Sequence, residues 1–257
     1  MNRRACIGGA AALAWLAGSG CAVAPGSQED DSEHASPPPV PDISATPWAH
    51  ASWHPRALGP WRVLAWPGKR TGGARGERHE GRDALAVQVD SAVLFARQSV
   101  RVPPADLGLL RFSWWVPALI PESDMAVRER DDTMARIVLA FDGDRARLSA
   151  RDAALSELSR ALTGEEMPYA TLMYVWSKHR PVGTVIHNPR TSRIRKLVVS
   201  TGEAQLLRWD EHARDLRADF RLAFGEEPGV MVGQGVMSDT DNTHTRARAW
   251  YGPLRWG

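Results

Sequence analysis

Strand-like runs dominate the chain, and helical segments do not alternate with them in a regular way. In LLRFSWWV (109–116), Leu110, Phe112 and Trp114 fall on one face of a strand, and ALAVQV (84–89) alternates likewise. The other candidates are 93–102, 136–142, 170–176, 182–187, 195–200, 230–237 and 247–256. About nine strands without βαβ alternation favour an antiparallel sheet arrangement. We therefore predict a mainly β, jelly-roll-like β-sandwich.

Two helices are predicted to interrupt the strands and to pack on the sandwich. The first runs from a Ser149 cap, paired with Asp152, to Gly164, and its apolar stripe consists of Leu155, Leu158 and Leu162. The second runs from about Asp210 to Phe224, and its apolar face consists of Leu216, Phe220, Ala223 and Phe224.

Residues 1–21 have the pattern of an export signal. Arg3 and Arg4 precede an apolar run from Ile7 to Ala17, which is too short for a spanning helix of ~20 residues. Small residues directly before Cys21 resemble a bacterial lipobox. We expect a periplasmic or outer-membrane-anchored lipoprotein, held on the membrane by a lipid at Cys21. Cleavage after residue 22 or 24, without lipid, is the alternative.

Residues 22–48 are predicted to be a disordered linker. They are rich in proline and serine and carry five acidic residues but no lysine or arginine. Such a segment buries too little apolar surface to offset its ordering entropy. We expect one folded domain over 49–257. The two cysteines of the chain are Cys6 and Cys21, so this domain has no disulfide, no thiolate metal site and no cysteine nucleophile.

The segment SDTDNTHT (238–245) brings hard oxygen ligands together between two strand-like runs. Asp239, Asp241 and Asn242 suit Ca²⁺, which takes ~6–8 oxygen ligands, so Asp132 is expected to join them from the start of another strand. The alternative is turn chemistry, because Asp, Asn and Thr side chains accept hydrogen bonds from nearby backbone amides. The spacing is not that of an EF-hand.

Tryptophan is the second unusual feature, with 11 Trp against five Phe and three Tyr. Trp114 and Trp115 are neighbours in one strand and therefore point to opposite faces. Trp115, and likewise Trp176, is a candidate platform on which a sugar ring stacks. The alternative is that each ring packs beneath a helix or a loop, because tryptophan has a large apolar surface to bury.

Motifs for familiar catalytic chemistry are absent: the sequence has no G-x-S-x-G, Walker or H-E-x-x-H pattern. Asp132 with Asp239 or Asp241 is a possible acid–base pair for glycoside hydrolysis. Basic residues cluster between 190 and 196, which suits either phosphate groups or a solvated hairpin face. Nucleic acid is not expected as a partner of an exported protein.

Four successive segments resemble the bacterial domain of unknown function 3047. They are DDTMARIVLAFDGD, ALTGEEMPYATLMYVWSKHRPVGTVIHNP, RDLRADFRLAFGEEP and GQGVMSDTDNTHTRARAWYGPLRW. The resemblance covers roughly residues 58–257 and implies an exported bacterial domain without assigning it a chemistry. Met173 departs from the pattern, in which asparagine precedes Tyr-Val-Trp. Among the motif residues, Tyr174, Trp176 and Arg214 are candidate ligand contacts.

Three functions follow as hypotheses. The first is non-catalytic binding of a glycan or another cell-envelope ligand, by analogy with other sandwich domains. The second is a polysaccharide hydrolase or lyase that uses the aspartate pair. The third is a structural envelope protein. A catalytic pair should line an open cleft, whereas loop aspartates with a structural role should already accept hydrogen bonds from backbone amides.

Overall fold

The computed structural model describes residues 39–257, which form two β-sheets and three α-helices. Strands account for 41% of the described residues and helices, including three short 3-10 turns, for 17%, so the fold is mainly β, as predicted. The export signal, Cys21 and residues 22–38 of the predicted linker lie outside the described residues. Within the described range, no helix has the length and apolar character needed to span a bilayer.

The regular elements follow one another in chain order. The strands are β1 (Arg62–Val63), β2 (Gly73–His79), β3 (Arg82–Asp90), β4 (Val93–Val102), β5 (Leu109–Trp115), β6 (Thr133–Phe141), β7 (Ala170–Ser177), β8 (Val185–His187), β9 (Ile194–Thr201), β10 (Trp209–Asp215), β11 (Met231–Asp239), β12 (Arg246–Tyr251) and β13 (Arg255–Trp256). The α-helices are α1 (Pro47–Ala51), α2 (Ala150–Thr163) and α3 (Leu216–Phe224).

The two sheets have the strand order of a jelly roll. The seven-stranded sheet runs β1-β4-β11-β6-β7-β9-β8, and the six-stranded sheet runs β10-β5-β12-β3-β2 with β13 added beside β5. The sequence neighbours β3 and β4, β5 and β6, and β11 and β12 therefore occupy corresponding places in opposite sheets. All pairings between these strands are antiparallel except that of β7 with β9, between which the short β8 intervenes in sequence.

The core lies between the sheets and is rich in aromatic rings. Trp114, Tyr174, Trp176 and Tyr251 are each at most 1% exposed. Tyr251 belongs to the six-stranded sheet, yet its hydroxyl donates to the Met237 carbonyl at 2.7 Å, on β11 of the opposite sheet. This contact joins the backbones of the two sheets through one side chain.

Helix α2 has the predicted ends but not the predicted buried face. Ser149 caps its first turn and Gly164 ends it in the left-handed conformation. The prediction that its leucine stripe packs on the sandwich is wrong, because Leu158 and Leu162 are 55% and 64% exposed. Polar residues face inward instead. Asp152 accepts hydrogen bonds from Thr191 and Ser192, which anchor the helix to the loop before β9.

The second predicted helix is correct only in its last part. Residues Leu216–Phe224 form α3, with Leu216, Phe220 and Ala223 buried as predicted and Gly225 as the stop. Residues Trp209–Asp215 form the edge strand β10, which pairs with β5. Asp215 separates the two elements, because its carboxylate caps the first turn of α3.

The folded part begins earlier than predicted. Ile43 and Trp48 are fully buried, and the Trp48 ring nitrogen donates to the Gly252 carbonyl at 3.0 Å. Thr46 caps α1 by accepting from the amide of Ala49. The predicted linker boundary at residue 48 is therefore wrong, since the end of that segment carries apolar side chains that fill the core.

Candidate functional site

The strand pairing brings the predicted aspartates of the acidic loop together. Asp239 at the end of β11 lies opposite Thr133 at the start of β6, so Asp132 and the loop after Asp239 become neighbours. Carboxylate oxygens of Asp132, Asp239 and Asp241 lie within 4.8 Å of one another. The structure thus shows the proximity of Asp132 to Asp239 and Asp241 that the sequence predicted.

Hydrogen bonds within the loop occupy the Asp132 carboxylate. Asp132 is fully buried. Its oxygens accept from the Thr243 amide and hydroxyl, both at 2.7 Å, and from the Asn242 side-chain amide at 2.7 Å. The backbone amide of Asn242 also donates to it at 3.1 Å. Asp132 therefore closes the turn, as the turn-chemistry alternative requires.

The other two carboxylates also have donors. Asp239 accepts from the Thr133 amide at 2.9 Å and from the Arg136 guanidinium at 3.0 Å, and Asp241 pairs with Lys69. Burial raises the pKa of Asp239 to about 7, although Arg136 opposes that rise. Because cationic and amide donors occupy these oxygens, the residues present do not fit the ~6–8 oxygen shell of Ca²⁺.

A buried charge network, which sequence reasoning missed, lies beside this loop. Lys196 on β9 is fully buried, and its Nζ donates to Asp131 at 2.6 Å and to the Met125 carbonyl at 2.9 Å. Arg136 contacts the same Asp131 oxygen at 3.2 Å. Burial lowers the pKa of Lys196 to about 8, and Arg136 adds to that effect. The interpretation of residues 190–196 as a solvated face is thus wrong for Lys196.

The motif residues Tyr174, Trp176 and Arg214 do not line an open site. Tyr174 and Trp176 face the core between the sheets, and Trp176 donates to the Gly202 carbonyl at 3.0 Å. The predictions that Trp176 is a stacking platform and that Tyr174 contacts a ligand are wrong, because both rings are covered. Arg214 binds both oxygens of Asp219, at 2.8 and 2.5 Å, so its role here is structural.

A serine, a histidine and an aspartate meet at the edge strand β10. Ser200 Oγ lies 3.1 Å from His212 Nε2 and 2.5 Å from Asp210 Oδ2. Asp210 approaches the same Nε2, at 3.2 Å. In a catalytic triad the acid holds Nδ1 and leaves Nε2 to the serine. Here one nitrogen faces both partners, and Ser200 is only 3% exposed, so the cluster is a buried polar contact.

Trp115 lies on the outer face of the six-stranded sheet, turned away from the core. The register places Trp115 between Trp250 on β12 and Trp209 on β10, so three tryptophans form one row across adjacent strands. Trp250 donates to Glu77 at 2.6 Å, which lowers the pKa of that carboxyl. The sequence did not indicate that Trp209 and Trp250 lie beside Trp115, because register is a long-range property.

His79, at the end of β2, covers the tryptophan row. Its ring is stacked on Trp250 with centroids 4.1 Å apart, and it meets Trp115 edge-on at 4.5 Å. Trp115 is 9% exposed, so its ring packs beneath a hairpin residue. The ring nitrogens Nε1 of Trp115 and Trp209 and Nε2 of His79 are buried and have no hydrogen-bond partner within the described residues.

Two open clefts flank this row on the same sheet. The first cleft, about 410 Å³, is lined by side chains that include Arg70, Arg75, Gln88, Asp90, Arg248 and Trp250. The second cleft, about 740 Å³, is lined by side chains that include Arg78, Arg82, Asp83, Arg111, Glu211 and Arg255. Both clefts therefore combine cationic donors with carboxylate or amide acceptors.

The family described as "Protein of unknown function (DUF3047)" matches residues 59–255. The chain belongs to the DUF3047 family. Comparison with curated proteins gives no match. Among solved structures, the chain is similar to the xyloglucanase domain of NopAA, a type three effector from Sinorhizobium fredii, in complex with cellobiose. The two are 8% identical with a TM-score of 0.36, over 80% of this chain and 90% of that one.

In this DUF3047 domain, the motif residues carry contacts that join separate elements. The Tyr174 hydroxyl on β7 donates to Asp219 on α3 at 2.8 Å, and Arg214 on β10 holds the same carboxylate. Met173 lies on the outer face of the seven-stranded sheet, beside Lys196 and Val138 in register. These residues fix the fold, and none of them lines either of the two open clefts of the DUF3047 domain.

Proposed function

We propose that this DUF3047 domain binds a glycan of the cell envelope, without catalysis, through the outer face of its six-stranded sheet. One observation carries the proposal. Two open clefts on this face have walls that combine guanidinium groups with carboxylates and an amide, and Trp250, at one end of the tryptophan row, lines the first of them.

This combination suits the chemistry of a sugar. A pyranose ring presents apolar C–H faces and a rim of hydroxyls that both donate and accept, so a sugar site needs an aromatic surface and paired polar groups. In the first cleft, Trp250 supplies the aromatic surface, Arg248 donates, and Asp90 and Gln88 accept. In the second cleft, Ser113 and Glu211 lie beside Arg82.

The geometry favours this function over hydrolysis or lysis by the aspartate pair. Asp132 and Asp239 are 0% and 4% exposed, and Asp132 already accepts from two backbone amides. Neither of the two clefts is lined by Asp132, Asp239 or Asp241. A purely structural role would leave both clefts without a function, so glycan binding accounts for more of the structure.

We also propose that the protein is exported and anchored by a lipid at Cys21. The support is the leader pattern of residues 1–21 together with the position of Cys21 directly after small residues. Expression of the full chain in a bacterial host fed with labelled palmitate tests this. Label should enter the wild type and not Cys21→Ser, and absence of label in both would contradict anchoring.

Binding of the full chain to immobilised envelope polysaccharides tests the glycan function. We expect retention on at least one polysaccharide, and a loss of about tenfold in affinity for Trp250→Ala. Trp53→Ala is the matched control, because Trp53 is 50% exposed and lines neither cleft. Equal binding by Trp250→Ala and the wild type would contradict this site.

A further inference from the structure

We propose that the glycan bound by this face is a polyanion, an extended chain with carboxylate, phosphate or sulfate groups that lies across both clefts. The inference rests on the proposed function and specifies the ligand class of the same site. It follows from which arginines in the clefts already have an acidic partner and which do not.

In the first cleft, two of the three arginines have no acidic partner. Arg75 pairs with Glu77 at 2.7 Å, and the one carboxylate that lines the cleft, Asp90, is held by Arg246 at 2.7 Å. No carboxylate within the part of the chain that the structure describes pairs with Arg70 or Arg248. The Arg248 guanidinium lies over the Trp250 ring at 5.6 Å, so a cation and an aromatic surface face the same space.

In the second cleft, the two unpaired arginines stand opposite each other. Arg255 on β13 and Arg111 on β5 are partners in register. Like charges directly opposite each other on neighbouring strands are unfavourable, and an anion between them would remove that repulsion. Arg78 and Arg82 are already paired, with Asp83 at 3.5 Å and with Glu211 at 2.6 Å. Among residues 39–257, no carboxylate pairs with Arg111 or Arg255.

Guanidinium groups recognise the same few chemical partners in most proteins. Their planar fork binds carboxylate, phosphate or sulfate oxygens with two parallel hydrogen bonds. Neutral sugar hydroxyls do not require a net positive site. A surplus of unpaired arginine therefore points to a charged glycan.

The spacing of the clefts indicates an extended ligand. Because Trp115 lies opposite Trp250, the unpaired Arg111 and Arg248 are six residues apart along the strand direction, which corresponds to about 20 Å. A single small anion is much shorter than this distance, so it cannot contact both arginines. A polymer with repeated charges can occupy both.

The experiment compares polymers that differ only in charge. The full chain is titrated with polygalacturonate and its methyl ester, and with dextran sulfate and dextran, in 0.05 and 0.5 M NaCl. We expect a charged member to bind at least about tenfold more tightly than its neutral partner, and salt to weaken that binding about tenfold. Arg70→Gln/Arg248→Gln and Arg111→Gln/Arg255→Gln should each weaken it by a similar factor.

Arg62→Gln/Arg101→Gln is the matched control, because it removes two exposed charges from the seven-stranded sheet, outside both clefts. Equal loss in this control would overturn the site. Equal binding of charged and neutral polymers would overturn the polyanion inference and leave glycan binding intact. Binding to phosphatidylglycerol vesicles but to no polymer would overturn both. A loss in only one of the two cleft variants would overturn the extended ligand.

Discussion

Nζ of Lys196 lies 2.6 Å from Oδ1 of Asp131, and neither side chain is more than 7% exposed. Arg136 approaches the same carboxylate oxygen and also binds Asp239, so two cations and two carboxylates share one buried volume. Removing a charge from water is unfavourable, so a buried ion is stable only when an opposite charge lies beside it.

Asp131→Asn should destabilise the domain by about 3 to 5 kcal/mol, because it leaves Lys196 and Arg136 with Asp239 as their shared carboxylate. Asp131→Asn/Lys196→Met should be more stable than Asp131→Asn alone, since it removes one of the two cations left with a single carboxylate. Urea unfolding followed by tryptophan fluorescence measures both. Lys178→Met, at an exposed lysine, is the control, and equal losses in Asp131→Asn and this control would contradict the prediction.

The contacts of Asp152 with the loop before β9 should weaken in acid, and with them the attachment of α2. Burial raises its pKa, but hydrogen bonds from Ser192, Thr191 and Ser149 outweigh this and hold the pKa at about 2. A carboxyl whose pKa is lower in the folded state stabilises fully above pH 4 and loses that contribution as the pH falls towards 2. The contribution is about 2 kcal/mol, because each tenfold change in proton affinity corresponds to about 1.4 kcal/mol.

Unfolding free energies of wild type and Asp152→Asn between pH 2 and 6 measure this contribution. The difference between the two proteins should be largest near pH 6 and should shrink below pH 4. A difference that does not change with pH would contradict the assignment.

The acidic loop should not respond to Ca²⁺. Thermal melts of the full chain in EDTA and in millimolar CaCl₂ should coincide, because the loop oxygens already accept from amides, Arg136 and Lys69. Asp132→Ala should cost about 2 kcal/mol or more in either buffer, since it leaves the Asn242 and Thr243 amides without their acceptor. A Ca²⁺-dependent rise in melting temperature that Asp241→Ala abolishes would show instead that the loop is a metal site.

His79→Ala should open the tryptophan row. Loss of the ring stacked on Trp250 exposes that ring and Trp115, and it removes about 1 kcal/mol of aromatic contact. In a Trp53→Phe background, which lacks one half-exposed tryptophan, acrylamide quenching should increase and the emission should shift to the red. His50→Ala, at an exposed histidine of α1, should leave both unchanged.

Strands with an apolar alternation were predictable from the sequence, and the polar edge strands were not. Leu85, Val87 and Val89 fill the core as their spacing indicates. In β10, however, Asp210 and His212 face inward and bind Ser200, so that strand has no apolar stripe to recognise. β2 has the sequence GARGERH and lies at the other edge of the same sheet, with the same consequence.

From the sequence, only the outward direction of one tryptophan of the candidate site could be predicted. Adjacent tryptophans at 114 and 115 require that one of them leave the core, and Trp115 does. Its neighbours Trp209 and Trp250 come from strands far away in sequence, and only the register brings them together. A lone lysine on a strand predicts exposure, so the burial of Lys196 could not be inferred without the residues that cover it.

The strand order also determines when the domain can fold. β11 lies between β4 and β6, and β12 lies between β3 and β5, so each is central to its sheet although both come late in the sequence. Until Met231–Tyr251 has been synthesised, four earlier strands lack a neighbour on one side. Contacts between distant parts of a chain form slowly because loop closure costs entropy before they form. Neither sheet can therefore be completed before β11 and β12 are available, so the domain reaches its final packing only after synthesis of β12.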